Sequence, residues 1–155
     1  MWSVNFVILG GRLVETIKIL YHTDFDEPIK VIDKGDWIDL KSARDYAYKK
    51  GDFFMINLGI SMELPKGYEA LLAPRSSTFK KYGIIQTNGF GVIDCMYKGN
   101  DDLWMMPVYA LRDGHIHKND RIAQFRILKN QPTIEFEVVS NLDNESRGGF
   151  GSTGR

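Results

Sequence analysis

A carboxylate and an aromatic ring lie three residues apart in the segment TNGFGVIDCMYKGN, residues 87–100. Asp94 follows the apolar run GVI, so we expect it at the end of a strand and partly buried, where a carboxylate can act as a general base. Tyr97 would add a flat face beside it. A turn-capping Asp with a rim tyrosine is the alternative, and this segment taken alone favours it. Cys95 has no histidine nearby in the sequence, so we predict a core or rim thiol rather than a nucleophile.

Hydroxyl groups and cations gather in the segment APRSSTFKKYG, residues 73–83. Arg75, Ser76 and Ser77 come directly after a predicted strand, where the chain turns into a short helical start. A guanidinium, hydroxyls and free backbone N–H groups at such a turn suit phosphate oxygens. The alternative is a solvated turn in which Ser76 or Ser77 caps the helix.

The segment NDRIAQF carries two further polar side chains. On a strand, Arg121 and Gln124 would point to opposite faces, so one of them is expected to look inward. An inward arginine needs a carboxylate, and Asp39 in WIDLKSA is the candidate. His115 and His117 would share a strand face, but no cysteine cluster or nearby third histidine accompanies them, so we predict no zinc site.

The elements that must position these residues are predicted to be short strands. Branched and aromatic runs alternate with turns rich in Gly, Asn, Asp and Pro, which is typical of an all-β barrel or sandwich. The Asn88–Gly89 pair predicts a hairpin. The helix candidates are KSARDYAYKK and SSTFKKYG. The predicted strand segments are TIKILY, DFFMINLGISMEL, YEALLAP, YGIIQTNGFGVID, LWMMPVYAL, RIAQFRIL and PTIEFEVV.

Composition narrows the class of partner. The chain has 155 residues, with 20 Lys plus Arg against 20 Asp plus Glu. This balance argues against a broad surface for the nucleic-acid backbone. The single cysteine suggests a reducing compartment, and the broken apolar start MWSVNFVILGG is too short to span a bilayer, so we predict a cytoplasmic protein without a membrane segment.

The order of the motifs resembles the homotrimeric dUTPases, whose five short motifs recur in fixed order. The matching segments are WIDLKSA, PRSS with Lys81 and Gly83, NGFGVIDCMYKG, DRIAQ and GGFGSTG. The first departs from the family pattern, because Ile38 replaces the aromatic residue before Asp39. The resemblance spans residues 17–154. It implies a jelly-roll β-barrel fold and hydrolysis of dUTP to dUMP and pyrophosphate.

The resemblance also implies roles for individual residues. Asp94 matches the carboxylate that activates the attacking water, and Tyr97 matches the aromatic under the deoxyribose that excludes a 2′-hydroxyl. Asp39 matches the acid that reaches Mg²⁺ through water. Asn88 and the backbone of Gly91, Val92 and Ile93 match the segment that reads uracil. The residues matched to phosphate contacts are Arg75, Ser76, Ser77 and Gln124.

The glycine-rich end resembles the family's arm, which closes over the nucleotide bound to another subunit. Phe150 would cover the base, and Gly151 and Ser152 would approach the phosphates. Arg147 would match the arginine of the arm and reach the terminal phosphate, but it stands three residues before Phe150, whereas the family has the arginine five residues before. Phe90 or Trp104 is therefore an alternative lid.

The resulting prediction is a homotrimer with shared active sites. Residues 1–16 would form an N-terminal extension or strand, residues 17–140 the β domain, and residues 141–155 the arm. A dCTP deaminase or bifunctional enzyme of the same fold is one alternative, although the Asp94–Tyr97 segment and the arm are typical of dUTPases. A nucleotide-sensing regulatory protein is the other alternative.

Overall fold

The computed structural model describes residues 6–9 and 12–149. These residues form short strands and one helix of a single turn, α1 (Thr78–Tyr82). The strands are β1 (Phe6–Leu9), β2 (Arg12–Glu15), β3 (Lys18–Tyr21), β4 (Ile38–Lys41), β5 (Tyr46–Tyr48), β6 (Phe53–Asn57), β7 (Ile60–Glu63), β8 (Tyr68–Pro74), β9 (Ile84–Gln86), β10 (Gly91–Asp94), β11 (Met105–Ala110), β12 (Gly114–Ile116) and β13 (Arg121–Lys129).

The strands form antiparallel sheets, so the predicted all-β architecture is confirmed. The largest sheet in the described residues has the order β10-β8-β13-β4, and a second has the order β6-β11-β9. Three two-stranded ladders join β1 to β2, β12 to β5 and β3 to β7. Since β4, β8, β10 and β13 carry the predicted site motifs, the four-stranded sheet is the element that fixes their relative positions.

One face of the four-stranded sheet covers the hydrophobic core. Leu40, Ala70, Leu72 and Phe125 are almost fully buried there, and their neighbours along each strand point away from the core. Trp104 packs edge-on against Phe125, with ring centroids 5.1 Å apart. The opposite face of this sheet therefore carries the polar side chains.

The helix predicted over KSARDYAYKK is wrong, whereas the one over SSTFKKYG is confirmed as α1. Residues 46–48 instead form β5, which pairs with β12. Tyr46 and Tyr48 lie two residues apart on one strand face, and both rings pack against Phe54. Tertiary packing of these aromatic rings overrides the helical propensity of the neighbouring residues.

The hairpin predicted at Asn88–Gly89 is a tight turn, but the strands on its two sides do not pair. β9 pairs with β11, while β10 pairs with β8. Gly89 has φ = 72°, and its N–H donates to the carbonyl oxygen of Gln86. The segment from Gln86 to Gly91, called the 86–91 turn below, thus links two different sheets.

The strand predicted over PTIEFEVV is also wrong within this chain. Residues 130–149 contain no strand, and every residue in that range is exposed. The apolar side chains Ile134, Phe136 and Val138 alternate with Glu135 and Glu137, so the pattern is that of a strand that lacks a partner here. No helix in the described residues has the length and apolar character required to cross a membrane.

Candidate active site

The turn that leads into α1 presents Arg75, Ser76 and Ser77 to the surface. Ser76 is exposed, and Ser77 occupies the N-cap position without making a side-chain capping hydrogen bond. Thr78 holds the turn instead. Its buried hydroxyl accepts from the Arg75 N–H at 3.0 Å and donates to the Ile122 carbonyl oxygen at 2.9 Å. The two serine hydroxyls are therefore not used to cap the helix.

Asp39 lies between two arginines. Its Oδ1 accepts from Arg75 Nε at 2.7 Å, and its Oδ2 accepts from Arg121 Nη1 at 3.2 Å. The Asp39 and Arg75 side chains are only 27% and 21% exposed, so this pair is less screened than a surface ion pair. Because Nε takes the contact with Asp39, the terminal nitrogens of Arg75 remain available for phosphate oxygens.

The prediction that Arg121 and Gln124 face opposite ways is wrong. The register of β13 against β4 shifts between Arg121 and Ala123, and Ile122 and Ala123 are both buried. Such a bulge reverses the alternation of side chains. Arg121 and Gln124 consequently lie on the same sheet face as Asp39, and the predicted Arg121–Asp39 pair is present. Gln124 Nε2 donates to the Pro74 carbonyl oxygen at 3.1 Å.

Asp94 ends β10 at the other edge of this sheet. It is exposed in the single chain, so the prediction of partial burial is wrong. Its Oδ1 accepts the Met96 N–H at 2.7 Å, and its carbonyl oxygen accepts the Tyr97 N–H at 3.0 Å. The Tyr97 hydroxyl donates to the Leu103 carbonyl oxygen at 3.0 Å, which fixes a half-exposed ring beside Asp94.

The 86–91 turn lies at the start of the same strand, so Asn88 and Asp94 belong to one local unit. Asn88 is exposed, while Gly91 and Ile93 are buried and Val92 is exposed. A Cβ at Gly91 would approach the Leu72 Cβ to 3.2 Å, so a side chain fits poorly there. This unit is called the base half-site below. The group of Asp39, Arg75 and Gln124 with the two serines is called the phosphate half-site.

The two half-sites are far apart in one chain. Asp94 pairs with Glu69, whereas Asp39 is aligned through Gln124 with Ala73, four residues further along β8. With three strand spacings between β10 and β4, the separation of the two carboxylates is about 20 Å. The resemblance assigns water activation to Asp94 and phosphate binding to Arg75, and these roles require both side chains to approach one substrate. Their placement within one chain keeps them apart.

The candidate lid residues differ in their surroundings. Trp104 is only 1% exposed, so the alternative that it covers a ligand is wrong: its ring fills the core. Phe90 is 55% exposed in the 86–91 turn and stays a candidate. Arg147 is exposed, and its contact with the phosphates stays a prediction. Phe150, Gly151 and Ser152 lie outside the described residues.

Three residues that hold the site were missed in the sequence. Thr78 anchors the phosphate turn, Gln86 lies buried under Asn88, and Arg112 Nη2 donates to the Lys80 and Lys81 carbonyl oxygens at 2.6 and 2.9 Å. Only Gln86 carried a signal, as a polar residue at the end of an apolar run. The contact of Thr78 with Ile122 and those of Arg112 with Lys80 and Lys81 join segments more than 30 residues apart, which no local pattern reveals.

Burial and the neighbouring Asp120 carboxylate raise the pKa of Tyr82, the last residue of α1, to about 12. Tyr48 donates its hydroxyl to the Tyr82 carbonyl oxygen at 2.7 Å. The end of α1 is therefore held by Tyr48 and Arg112 together.

Metal binding at this site depends on which side chains can serve as ligands. Among the described residues, no group of three or more His, Cys, Asp or Glu side chains could hold one. Both carboxylate oxygens of Asp39 accept hydrogen bonds from guanidinium groups. Asp39 therefore suits a contact with one water molecule in the hydration shell of a cation, rather than direct coordination of a permanently bound ion. This fits Mg²⁺ carried by a triphosphate, because Mg²⁺ commonly takes substrate phosphates plus one or two carboxylates.

Comparison with known proteins gives one consistent family. The family model for dUTPase matches residues 37–154. The SPbeta prophage-derived deoxyuridine 5′-triphosphate nucleotidohydrolase YosS of Bacillus subtilis is 54% identical over 138 residues, covering 89% of this chain and 97% of that protein. The corresponding protein of Desulfotalea psychrophila is 32% identical over 155 residues, covering 98% and 97%.

Solved structures agree on the fold. A variant of the Staphylococcus bacteriophage 80alpha dUTPase with dUpNHpp has a TM-score of 0.75 at 20% identity, covering 92% of this chain and all of that one. A variant of the phage phi11 dUTPase of S. aureus, described as revealing the coordination of a structural Mg(II) ion, has a TM-score of 0.69 at 17% identity, covering 84% and 100%. The family model, the long matches and the fold together show that this chain belongs to the dUTPase family.

Proposed function

We propose that this chain hydrolyses dUTP to dUMP and pyrophosphate, with Asp94 as the base that activates water. The family and its long relatives, which are named as dUTP nucleotidohydrolases, support the reaction. The observation that carries the role of Asp94 is its geometry. Its Oδ1 is fixed by the Met96 N–H, which leaves Oδ2 free of protein partners among the described residues.

In the proposed step, Oδ2 of Asp94 accepts a proton from water as the water oxygen attacks the α-phosphorus. A P–O bond to that oxygen forms, the bond from the α-phosphorus to the bridging oxygen breaks, and pyrophosphate leaves with the bridging oxygen. No covalent intermediate with Ser76, Ser77 or Cys95 is required. Asp94 therefore acts by aiming and deprotonating a water molecule.

The base half-site is proposed to bind the nucleoside. The Tyr97 ring, fixed through Leu103, would pack under the deoxyribose and leave no room for a 2′-hydroxyl. Asn88 and the backbone of Gly91, Val92 and Ile93 would read the uracil edge. Cytosine presents an amino group where uracil presents a carbonyl oxygen, and an unmatched buried polar group costs about 1–3 kcal/mol.

The phosphate half-site is proposed to neutralise the triphosphate. Arg75, Ser76, Ser77 and Gln124 would supply donors to its oxygens, which matters because negative charge builds up on them in the transition state. Magnesium, bound through the phosphates with Asp39 near its water shell, would supply further charge neutralisation. Residues 141–155 would form the arm that excludes water, with Phe150 over the base and Arg147, Gly151 and Ser152 near the phosphates.

We propose a homotrimer, in which one chain supplies the base half-site and a neighbour supplies the phosphate half-site. The separation of about 20 Å within one chain supports this arrangement. So does the exposed alternation around Phe136 and Val138, which are 88% and 97% exposed and would be buried against another chain. The cytoplasm is the proposed compartment, on the ground of the single cysteine.

The test is a nucleotide panel. The purified chain is incubated with Mg²⁺ and with dUTP, dCTP, dTTP or UTP, while pyrophosphate and the base products are measured. We expect pyrophosphate to be released from dUTP and from none of the other three nucleotides. We expect Asp94→Asn to lower kcat by about 10²–10⁴-fold while dUTP still binds, since the change removes the base and keeps the side-chain shape.

The same panel separates the other candidates. Conversion of dCTP to a uracil nucleotide would show a deaminase or a bifunctional enzyme. Binding of dUTP without turnover by the unaltered chain would favour a nucleotide sensor. A chain that hydrolyses dUTP equally well with Asp94→Asn would contradict the role of Asp94 and leave the family activity intact.

A further inference from the structure

A buried glutamine lies directly under Asn88 in the 86–91 turn. Gln86, the last residue of β9, is 8% exposed. Its Nε2 donates to Asn88 Oδ1 at 2.9 Å and to the Leu72 carbonyl oxygen at 3.4 Å.

These contacts determine the orientation of the Gln86 amide, which in turn determines the orientation of the Asn88 amide. The Leu72 carbonyl oxygen can only accept a hydrogen bond, so the amide end of Gln86 that faces it must be the NH₂ group. The second hydrogen of that NH₂ group reaches Asn88, which must therefore offer its oxygen. Asn88 Oδ1 then points inward, and its Nδ2, which has no partner among the described residues, points outward as a donor.

The buried position of Gln86 Oε1 lowers the stability of the folded chain. Gln86 Oε1 is buried without a hydrogen-bond partner in the described part of the chain. An unpaired buried acceptor is destabilising, and an apolar residue of the same size would avoid it. A role of Gln86 outside stability would offset this destabilisation.

We infer that Gln86 determines the choice of uracil over cytosine by holding Asn88 with its NH₂ group towards the base. This inference rests on the proposed function, because it assumes that Asn88 faces the base. Uracil has a carbonyl oxygen at position 4, which accepts from Asn88 Nδ2. Cytosine has an amino group there, which would meet another donor. Gln86 touches no substrate and is a positioning residue.

The first test replaces Gln86 by an apolar residue of similar volume. In Gln86→Leu, Asn88 is free to turn over and present either its oxygen or its nitrogen. We expect the ratio of kcat/KM for dUTP over that for dCTP to fall at least about tenfold, mainly through a higher KM for dUTP. The melting temperature should stay equal or rise, because the unpaired Oε1 is removed. Gln86→Met is the second variant if Gln86→Leu does not fold.

A double-mutant cycle distinguishes positioning from general damage. If Gln86 acts through Asn88, then Gln86→Leu should change the ratio in the unaltered chain but add almost nothing in an Asn88→Ala background. Ser42→Ala is the matched control: it removes another fully buried polar group, one that bonds to Arg44 and lies outside the 86–91 turn. This control should leave the ratio unchanged.

Affinity for the non-hydrolysable dUpNHpp and its cytosine counterpart provides a readout that does not need turnover. A ratio of affinities that falls in Gln86→Leu supports the inference even in a chain without hydrolysis. An unchanged ratio, or additive effects of the Gln86 and Asn88 changes, would overturn it. Loss of hydrolysis in the unaltered chain, by contrast, contradicts the proposed function and leaves the affinity test standing.

Discussion

At the scale of single residues, the sequence predicted the ion pair between Arg121 and Asp39 but not the solvent exposure of Asp94. The pair between Arg121 and Asp39 follows from two statements about sequence: an arginine on a strand needs a carboxylate, and Asp39 was available. The second partner, Arg75, could not be foreseen, because its contact with Asp39 joins residues 36 positions apart, in β4 and directly after β8, two strands that β13 separates. The face of Gln124 could not be foreseen either, because a register shift in β13 brings it to the face of Asp39. A bulge depends on how two strands pair, and a single strand's sequence does not state it.

Exposure of Asp94 differed from expectation for a related reason. The run GVI before it correctly predicted a strand with a buried Ile93. The strand, however, lies at the edge of its sheet, and no other strand of the described residues pairs with its outer side. Burial of a site carboxylate is a property of everything packed around it, which includes other chains in the proposed trimer.

Tyr82 gives a pH dependence that belongs to one residue. Burial and the Asp120 carboxylate raise the pKa of Tyr82 to about 12 in the folded chain, whereas an unfolded tyrosine titrates at about 10. Between those values the folded state binds more protons than the unfolded state, so stability falls as the pH rises from about 10 to about 12. We expect Tyr82→Phe to make the free energy of unfolding less dependent on pH in that window, as measured by urea titrations.

Asp120→Asn gives an independent check of this assignment. Removing the carboxylate takes away one of the causes that raise the pKa of Tyr82, so the decline in stability should become shallower without vanishing. Ultraviolet absorbance of tyrosinate should show one tyrosine titrating earlier. If the slope is the same in Tyr82→Phe and in the unaltered chain, another group causes the alkaline loss.

At the scale of elements, alternation of apolar residues predicted most of the strands, but it did not predict which strands pair. β9 and β10 flank an Asn-Gly turn and look like a hairpin, yet each finds a longer partner in another sheet. The helix α1 was predicted from its polar start, where Ser76 or Ser77 could cap it. Its fixation by Arg112 was not, since that contact depends on the loop after β11.

Gly83 allows a direct test of how α1 is held. It has φ = 65°, and a Cβ at this position would overlap the Arg112 side chain, which bonds to the carbonyl oxygens at the end of the helix. We expect Gly83→Ala to lower the free energy of unfolding by about 2–4 kcal/mol, the sum of backbone strain and lost hydrogen bonds. Chemical denaturation measures this loss of stability. The KM for dUTP should also rise, because Arg75 lies in the turn that leads into α1.

Gly67→Ala is the matched control for that change. Gly67 also has a left-handed backbone, with φ = 88°, but a Cβ there would meet no atom within 4 Å. It should cost only the backbone strain, about 1 kcal/mol, without any effect on KM. Equal losses in the two variants would show that Arg112 makes no separate contribution to α1.

At the scale of the whole molecule, the motif order identified the family, but it did not show that Asp94 and Asp39 lie about 20 Å apart in one chain. That fact follows from the strand order β10-β8-β13-β4, which places Asp94 and Asp39 at opposite edges of one sheet. PTIEFEVV alternates apolar and acidic residues as a strand does, yet it has no strand partner in the described residues. In the proposed trimer, a neighbouring chain would supply that partner.

Subunit mixing tests the shared site directly. Asp94→Asn disables the base half-site, and Arg75→Ala disables the phosphate half-site, so each variant alone should be nearly inactive. In trimers formed from an equal mixture, a site is intact when its base half-site comes from an Arg75→Ala chain and its phosphate half-site from an Asp94→Asn chain. Random assembly gives this for about one quarter of the sites, so about one quarter of the unaltered activity should return after co-refolding.

The control mixture joins two variants that damage the same half-site, Asp94→Asn with Tyr97→Ala. Every site in these trimers takes its base half-site from one chain that carries a change, so no activity should return. Recovery in the first mixture without recovery in the second requires that catalytic groups come from different chains. If neither mixture recovers activity although mass measurements show mixed trimers, then Asp94 and Arg75 must meet within one chain, and the sheet would have to rearrange by about 20 Å for that to happen.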